Sequence, residues 1–177
     1  MTLTLQPTKF ADAWVLSFKP FEDERGYFTR TFCAPSLVDR GLESSFVQHS
    51  KSYSIAKGTL RGLHFQTAPH EEVKIVRCLH GAIYDVIVDL RPQSPTYKQW
   101  QAFELTRENR LQLYVPKGFG HGFQSLTPDV EVSYLISTPY VPAAASGVRF
   151  DDPAFAIEWP LPISAISAKD TSWPYLN

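Results

Sequence analysis

Prolines constrain this chain more than any other feature. Fourteen of them are spread along the sequence and cut it into short apolar segments. Few of those segments leave room for a long helix, because proline removes a backbone donor and clashes with the preceding turn. The segments read as strands: Ala13–Phe18, Tyr27–Phe32, Phe46–Ser54, Val73–Leu79, Ala82–Leu90, Gln99–Leu105, Leu111–Val115, Gly122–Leu126 and Val130–Ser137. Many short strands at near-regular spacing predict an all-β sandwich or barrel. Ala82–Leu90 carries Ile83, Val86, Ile87 and Val88, apolar on both faces, and is expected to be interior. His80-Gly81 before it reads as a hairpin turn.

Helix is expected only in short flanking pieces. Pro35 suits a first helical turn and Gly41 a C-terminal cap. A second short helix is expected near Arg107–Asn109, and Ser164–Asp170 reads as a loop or a single helical turn. No repeat, low-complexity tract or linker divides the 177 residues, which read as one domain over 1–177. A net charge of −1 gives no electrostatic case for nucleic acid. The first ten residues lack a basic start followed by an apolar run, and no stretch approaches a membrane span. Cys33 and Cys78 make neither a disulfide framework nor a zinc spacing, so both are expected reduced, in a cytoplasmic protein.

Three clusters can carry chemistry. The first is Arg61-Gly62-Leu63-His64-Phe65-Gln66. An unbroken strand there puts Leu60, Gly62 and His64 on one face, with Arg61, Leu63 and Phe65 on the other. The second is Lys74, on one strand face with Val76 and Cys78. An ammonium among apolar neighbours needs a partner or a function, since burying it alone costs several kcal/mol. The third is Gly118-Phe119-Gly120-His121-Gly122, read as a tight turn between strands. Hydrolase elbows, phosphate loops, dinucleotide fingerprints and HExxH motifs are absent.

Taken in order, these motifs resemble the dTDP-4-dehydrorhamnose 3,5-epimerase family. The resemblance runs through Asp23-Glu24-Arg25-Gly26, the Arg61–Gln66 and Lys74–Cys78 clusters, Asp89-Leu90-Arg91 with Ser94-Pro95-Thr96, Gly118–Phe123, and Ser167-Ala168-Lys169-Asp170. It implies a cupin-type jelly-roll barrel, a homodimer, no cofactor and no metal. The implied substrate is a nucleotide-diphosphate sugar, epimerised at C3, C5 or both by proton abstraction beside a C4 ketone. His64 is then the base, Asp170 the carboxylate orienting it, Lys74 the cation at the keto oxygen and Tyr134 the acid. Arg25, Arg61, Gln48, His121 and Tyr140 fall at substrate-binding positions, joined by Phe21, Phe28 and Arg30. Arg30 departs from the family, which usually carries a glutamate there, as do His49 and Ser50 after Gln48.

Two alternatives belong to other classes. A metal-dependent cupin enzyme needs a His-x-His pair with further ligands, but Phe65-Gln66 follows His64. A binding module without catalysis is expected to lack His64, Lys74 or Tyr134, and all are present. Closer in chemistry are a single-centre epimerase and a ketoisomerase, which share the enolate.

Overall fold

The computed structural model describes residues 2–176. Its strands run β1 (Leu3–Pro7), β2 (Trp14–Phe18), β3 (Phe21–Asp23), β4 (Gly26–Phe28), β5 (Gln48–Ser54), β6 (Leu60–Gln66) and β7 (Lys74–His80). They continue with β8 (Ala82–Asp89), β9 (Trp100–Thr106), β10 (Gln112–Val115), β11 (Phe119–Ser125), β12 (Val130–Ile136) and β13 (Ala145–Gly147). Two short helices, α1 (Ala34–Val38) and α2 (Ala168–Thr171), complete the described elements.

The strands form an antiparallel sheet in the order β1-β2-β10-β7-β12-β5 and a second in the order β13-β6-β11-β8-β9. Alternation explains why they pack face to face. Val76 and Cys78 of β7, Leu113 and Val115 of β10 and Val132 of β12 meet Ile83 and Ile87 of β8 and Phe119 and Phe123 of β11 in one core. The outer face of the six-stranded sheet is apolar in part, and Leu37 of α1 covers it together with Phe46. The outer face of the five-stranded sheet takes Val148, Phe155 and Trp159 from the C-terminal chain. This is the all-β architecture with short flanking helices that the segment pattern predicts, and the cupin-type jelly roll that the resemblance implies. No helix among the described residues is long and apolar enough to cross a membrane.

Several local expectations are overturned. His80-Gly81 is not a hairpin turn, because β7 and β8 belong to different sheets. It is a corner: Gly81 has φ +75°, and a Cβ there would press into the Thr127 side chain. Arg107–Asn109 is a turn rather than a helix. The Asn109 side chain accepts from Thr106 N and donates to Glu104 O, offering the backbone an alternative to helical bonding. The segment read as Tyr27–Phe32 keeps its strand only to Phe28, since β3 and β4 pair with each other and with no other strand. Gly118–Gly122 is not a turn throughout, because β11 begins at Phe119 and puts His121 in mid-strand. Both Leu3–Pro7 and Ala145–Gly147 form strands that the segment pattern missed. Cys33 and Cys78 are free.

The Asp89-Leu90-Arg91 motif proves structural. Asp89 is fully buried and accepts from Arg91 Nη2 at 2.8 Å, Ser94 Oγ at 2.5 Å and Thr96 Oγ1 at 2.7 Å. Arg91 reaches on to Asp12, tying the loop after β8 to the N-terminal segment. Burial pushes the Asp89 carboxyl up, but these hydrogen bonds outweigh it and hold its pKa at about 2. A depressed carboxylate stabilises the fold above its unfolded pKa of about 3.9, and this is lost as pH falls through the folded value. The contribution is about 2 kcal/mol. Asp89→Asn should therefore destabilise the protein by about 2–3 kcal/mol at neutral pH. It should also flatten the loss of unfolding free energy between about pH 4 and pH 2, read by urea titration.

Candidate active site

A cavity of about 590 Å³ opens between the two sheets. The five-stranded sheet lends it Arg61, His64 and His121, the six-stranded sheet Gln48, Lys74 and Tyr134, and α2 lends Asp170.

A β-bulge decides what faces this cavity. His64 of β6 pairs with His121 of β11, and Arg61 pairs with Phe123, so Gly62 and Leu63 together oppose the single residue Gly122. The extra residue breaks the alternation. Arg61 and His64, three apart, both face inward, contrary to the opposite faces expected from an unbroken strand. Leu63 turns outward into the cluster with Val86 and Val88. The bulge demands glycine on both sides. Gly62 has φ +133°, and a Cβ on it would lie 2.5 Å from Gly122 Cα. A Cβ on Gly122 would lie 2.6 Å from Arg61 O.

His64 is paired at once. Its Nε2 lies 2.6 Å from Asp170 Oδ1. The other carboxylate oxygen accepts from Gly62 N at 3.3 Å, within the bulge itself. Ser167 caps α2 by accepting from Asp170 N, which fixes the carboxylate's approach. Burial pushes the Asp170 carboxyl up, but the hydrogen bond and charge of His64 and the Gly62 amide outweigh it, leaving the pKa below the ordinary value. An ionised Asp170 puts the imidazole proton on Nε2 and the lone pair on Nδ1. Trp173 packs edge-on against His64, with ring centroids 6.4 Å apart.

Opposite stands Tyr134, on β12 of the other sheet. Its hydroxyl is 2.9 Å from Ser52 Oγ. Burial drives its pKa well above the ordinary phenol value; the Ser52 hydrogen bond works against this, and the nearby Asp85 charge adds to it. The phenol therefore keeps its proton throughout the neutral range. Lys74 is nearly buried, with Nζ 2.8 Å from Glu72 Oε1 and 3.3 Å from His64 O. His121 is buried and bonded through Nε2 to Asp85 Oδ1 at 2.7 Å, while Asp85 Oδ2 is buried without a partner among the described residues. No three His, Cys, Asp or Glu side chains among the described residues are grouped to hold a metal ion.

The cavity thus brings together His64, Asp170, Lys74, Tyr134, Arg61, Gln48, His121 and Tyr140. It does not bring in Phe21, Arg25, Phe28 or Arg30. Phe21 and Phe28 lie on the β3–β4 hairpin, 66% and 73% exposed, and Arg25 at its turn pairs with Asp23. Arg30 lines a separate, smaller hollow with Arg77 and Arg110. The sequence reading missed Asp85, Glu72, Ser52 and Trp173. A carboxylate within the apolar run 82–90 was the available signal for Asp85.

The family model described as dTDP-4-dehydrorhamnose 3,5-epimerase matches residues 7–177. The chain belongs to this family. A dTDP-4-dehydrorhamnose 3,5-epimerase of Sinorhizobium fredii is 41% identical over 172 residues, covering 97% of this chain and 88% of that one. The crystal structure of the Bacillus anthracis dTDP-4-dehydrorhamnose 3,5-epimerase with TDP and PPi bound superposes with a TM-score of 0.96 at 44% identity, covering 99% of this chain and 100% of that one. The Legionella pneumophila dTDP-6-deoxy-D-glucose-3,5-epimerase, in complex with dTDP-4-keto-L-rhamnose, gives 0.93 at 35% identity, covering 98% and 92%.

Backbone contact across the epimerase bulge yields a test. Gly122→Ala should cost about 3 kcal/mol, the upper range for overpacking, because the atom it meets is backbone rather than a yielding side chain. Urea unfolding measures this loss.

Proposed function

We propose that this chain epimerises a dTDP-linked 4-keto-6-deoxyhexose at C3 and C5, without a cofactor, as its family does in making deoxysugars such as dTDP-L-rhamnose. The observation carrying the reading is that His64 and Tyr134 stand on opposing sheets with the cavity between them. A flat keto-sugar in that gap has a base on one side and an acid on the other, which is what inversion by proton exchange needs.

Each inversion moves one proton onto His64 and one off Tyr134, and exchange with water resets both before the next. Nδ1 of His64 takes the proton from the carbon beside the C4 ketone, and Asp170 supports the imidazolium that forms. The electron pair moves onto the ketone oxygen as an enolate. Lys74 donates a hydrogen bond there; such a donor is typically worth about 3–4 kcal/mol in the transition state. Tyr134 returns a proton to the carbon from the opposite face, and the ketone reforms. The raised phenol pKa suits this role, because the proton stays in place until a far stronger carbon base appears. Arg61 binds the diphosphate, its planar fork matching phosphate oxygens. Gln48 and Tyr140 flank the nucleotide, and His121 lines the sugar end.

The protein works as a homodimer in this reading. Phe21, Tyr27 and Phe28 leave a large apolar surface on a two-stranded ribbon, which is marginal alone. That hairpin, carrying Arg25 and followed by Arg30, then reaches the nucleotide end of a second copy's cavity. Two reduced cysteines fit a cytoplasmic setting.

His64→Ala should slow exchange at both sugar carbons by about 10³-fold or more, followed by proton NMR in deuterium oxide. Near-normal exchange would remove the base assignment. Tyr134→Phe should let deuterium wash in while product formation falls by about 10²-fold; unchanged turnover would remove the acid. Arg25→Ala should weaken dTDP binding by about tenfold, as loss of a charged hydrogen bond does, while light scattering still gives a dimer. A monomeric wild-type protein, or an unaltered affinity, would rule out the shared site.

A further inference from the structure

We propose that Glu72 is a positioning residue: it neutralises Lys74 and reserves it for the sugar ketone, so that Arg61 is the cation the diphosphate meets. This rests on the reading of Lys74 given above.

An ammonium has three donors. At Lys74, one goes to Glu72 Oε1 at 2.8 Å and one to His64 O at 3.3 Å, leaving one for the cavity. Glu72 and Lys74 are 11% and 10% exposed, so water screens the pair little. Glu72 is itself held. Its Oε2 accepts from Gln66 Nε2 at 2.8 Å, and Gln66 is buried. Gln66 Nε2 also lies 3.1 Å from His70 O, and its Oε1 accepts from Val141 N at 2.7 Å. Gln66 therefore cannot turn away, and neither can the carboxylate it holds. This gives Gln66 a purpose beyond closing the Arg61–Gln66 motif.

Arg61 is held differently. Its Nε donates to Ser54 Oγ at 3.1 Å and its Nη2 to Tyr53 O at 2.8 Å, both neutral acceptors. No carboxylate lies within ion-pair distance of it among the described residues. Arg61 and Lys74 thus differ in net charge. Lys74 with Glu72 sums to zero and offers one aimed N–H, which suits an uncharged ketone oxygen. Arg61 keeps its full charge, which suits a diphosphate. Without Glu72, a bare ammonium in a water-poor pocket attracts the diphosphate as strongly as Arg61 does. The nucleotide sugar then has two registers, and only one places its ketone between His64 and Tyr134.

Three variants test this: Glu72→Gln, Lys74→Met and the double variant. Glu72→Gln keeps the shape and can still bond Gln66. Exchange and turnover are measured on dTDP-4-keto-6-deoxyglucose by proton NMR, and dTDP affinity by calorimetry. Glu72→Gln should lower kcat about tenfold while dTDP binds as tightly as to wild type, or several-fold tighter. Lys74→Met should lower kcat about 10²-fold, and adding Glu72→Gln should lower it no further. Unchanged kcat in Glu72→Gln overturns the proposal. So does an additive loss in the double variant, or a dTDP affinity that falls in step with kcat, since either marks Glu72 as merely structural. Near-normal turnover in Lys74→Met is the separate signature that the reading of Lys74 itself has failed.

Discussion

The site hangs on one irregular strand pairing. Between β6 and β11 the register slips by one residue at Gly62, Leu63 and Gly122. In a regular ladder Arg61 and His64 point to opposite sides, and only one of them can reach a ligand between the sheets. The bulge turns both inward and sends Leu63 out to the opposite face, where it packs with Val86 and Val88. It also frees the Gly62 amide from the ladder, and that amide donates to Asp170. One local insertion therefore aims His64, aims Arg61 and binds the Asp170 carboxylate that orients the imidazole. Backbone lies so close on both sides that the arrangement has little room to relax.

Electrostatics follow from burial. The same sheets that exclude water to form the core enclose the cavity, so each polar group in it carries a desolvation cost. Asp170 offsets that cost with His64 and the Gly62 amide, and its pKa falls despite burial. Tyr134 has only weaker offsets, the Ser52 hydrogen bond and the Arg61 charge, and its pKa rises. These opposite outcomes in one pocket separate an ionised carboxylate from a phenol that holds its proton. Asp89, buried outside the cavity, is also held low, at about 2, by its hydrogen bonds, and its partners serve only to fix a loop. Depressed carboxylates alone do not mark this site; what distinguishes it is their pairing with groups that also face a cavity.

How much of this was legible in the sequence depends on range. The two-sheet class was, because short apolar segments between prolines have few other ways to bury themselves. So was interior Lys74, since alternation along 74–78 is unbroken and places it with Val76 and Cys78. The resemblance supplied Asp170 and Tyr134, which composition and spacing leave as an unremarkable surface acid and a common strand tyrosine. What failed did so where local pattern stops fixing direction. His80-Gly81 reads as a hairpin turn from its residues, but whether the chain folds back in one sheet or crosses to another is settled by β10, β11 and β12, which lie thirty and more residues on. Arg61 was placed on the wrong face because the slip in register depends on how close Gly122 can come.

Partners were the least legible. Glu72 follows Glu71 after a proline and a histidine, and reads as part of a solvated turn. Its carboxylate is buried only because Gln66, two strand positions beyond His64, faces the same cavity and binds it. Asp85 interrupts an otherwise apolar strand, which is a visible signal, yet nothing near it in sequence names His121 as its partner 36 residues away. A side chain's type is written at its own position, but its charge balance is written wherever the fold brings the chain back. In this pocket the groups facing the ligand belong to the first kind of information, and the carboxylates behind them to the second.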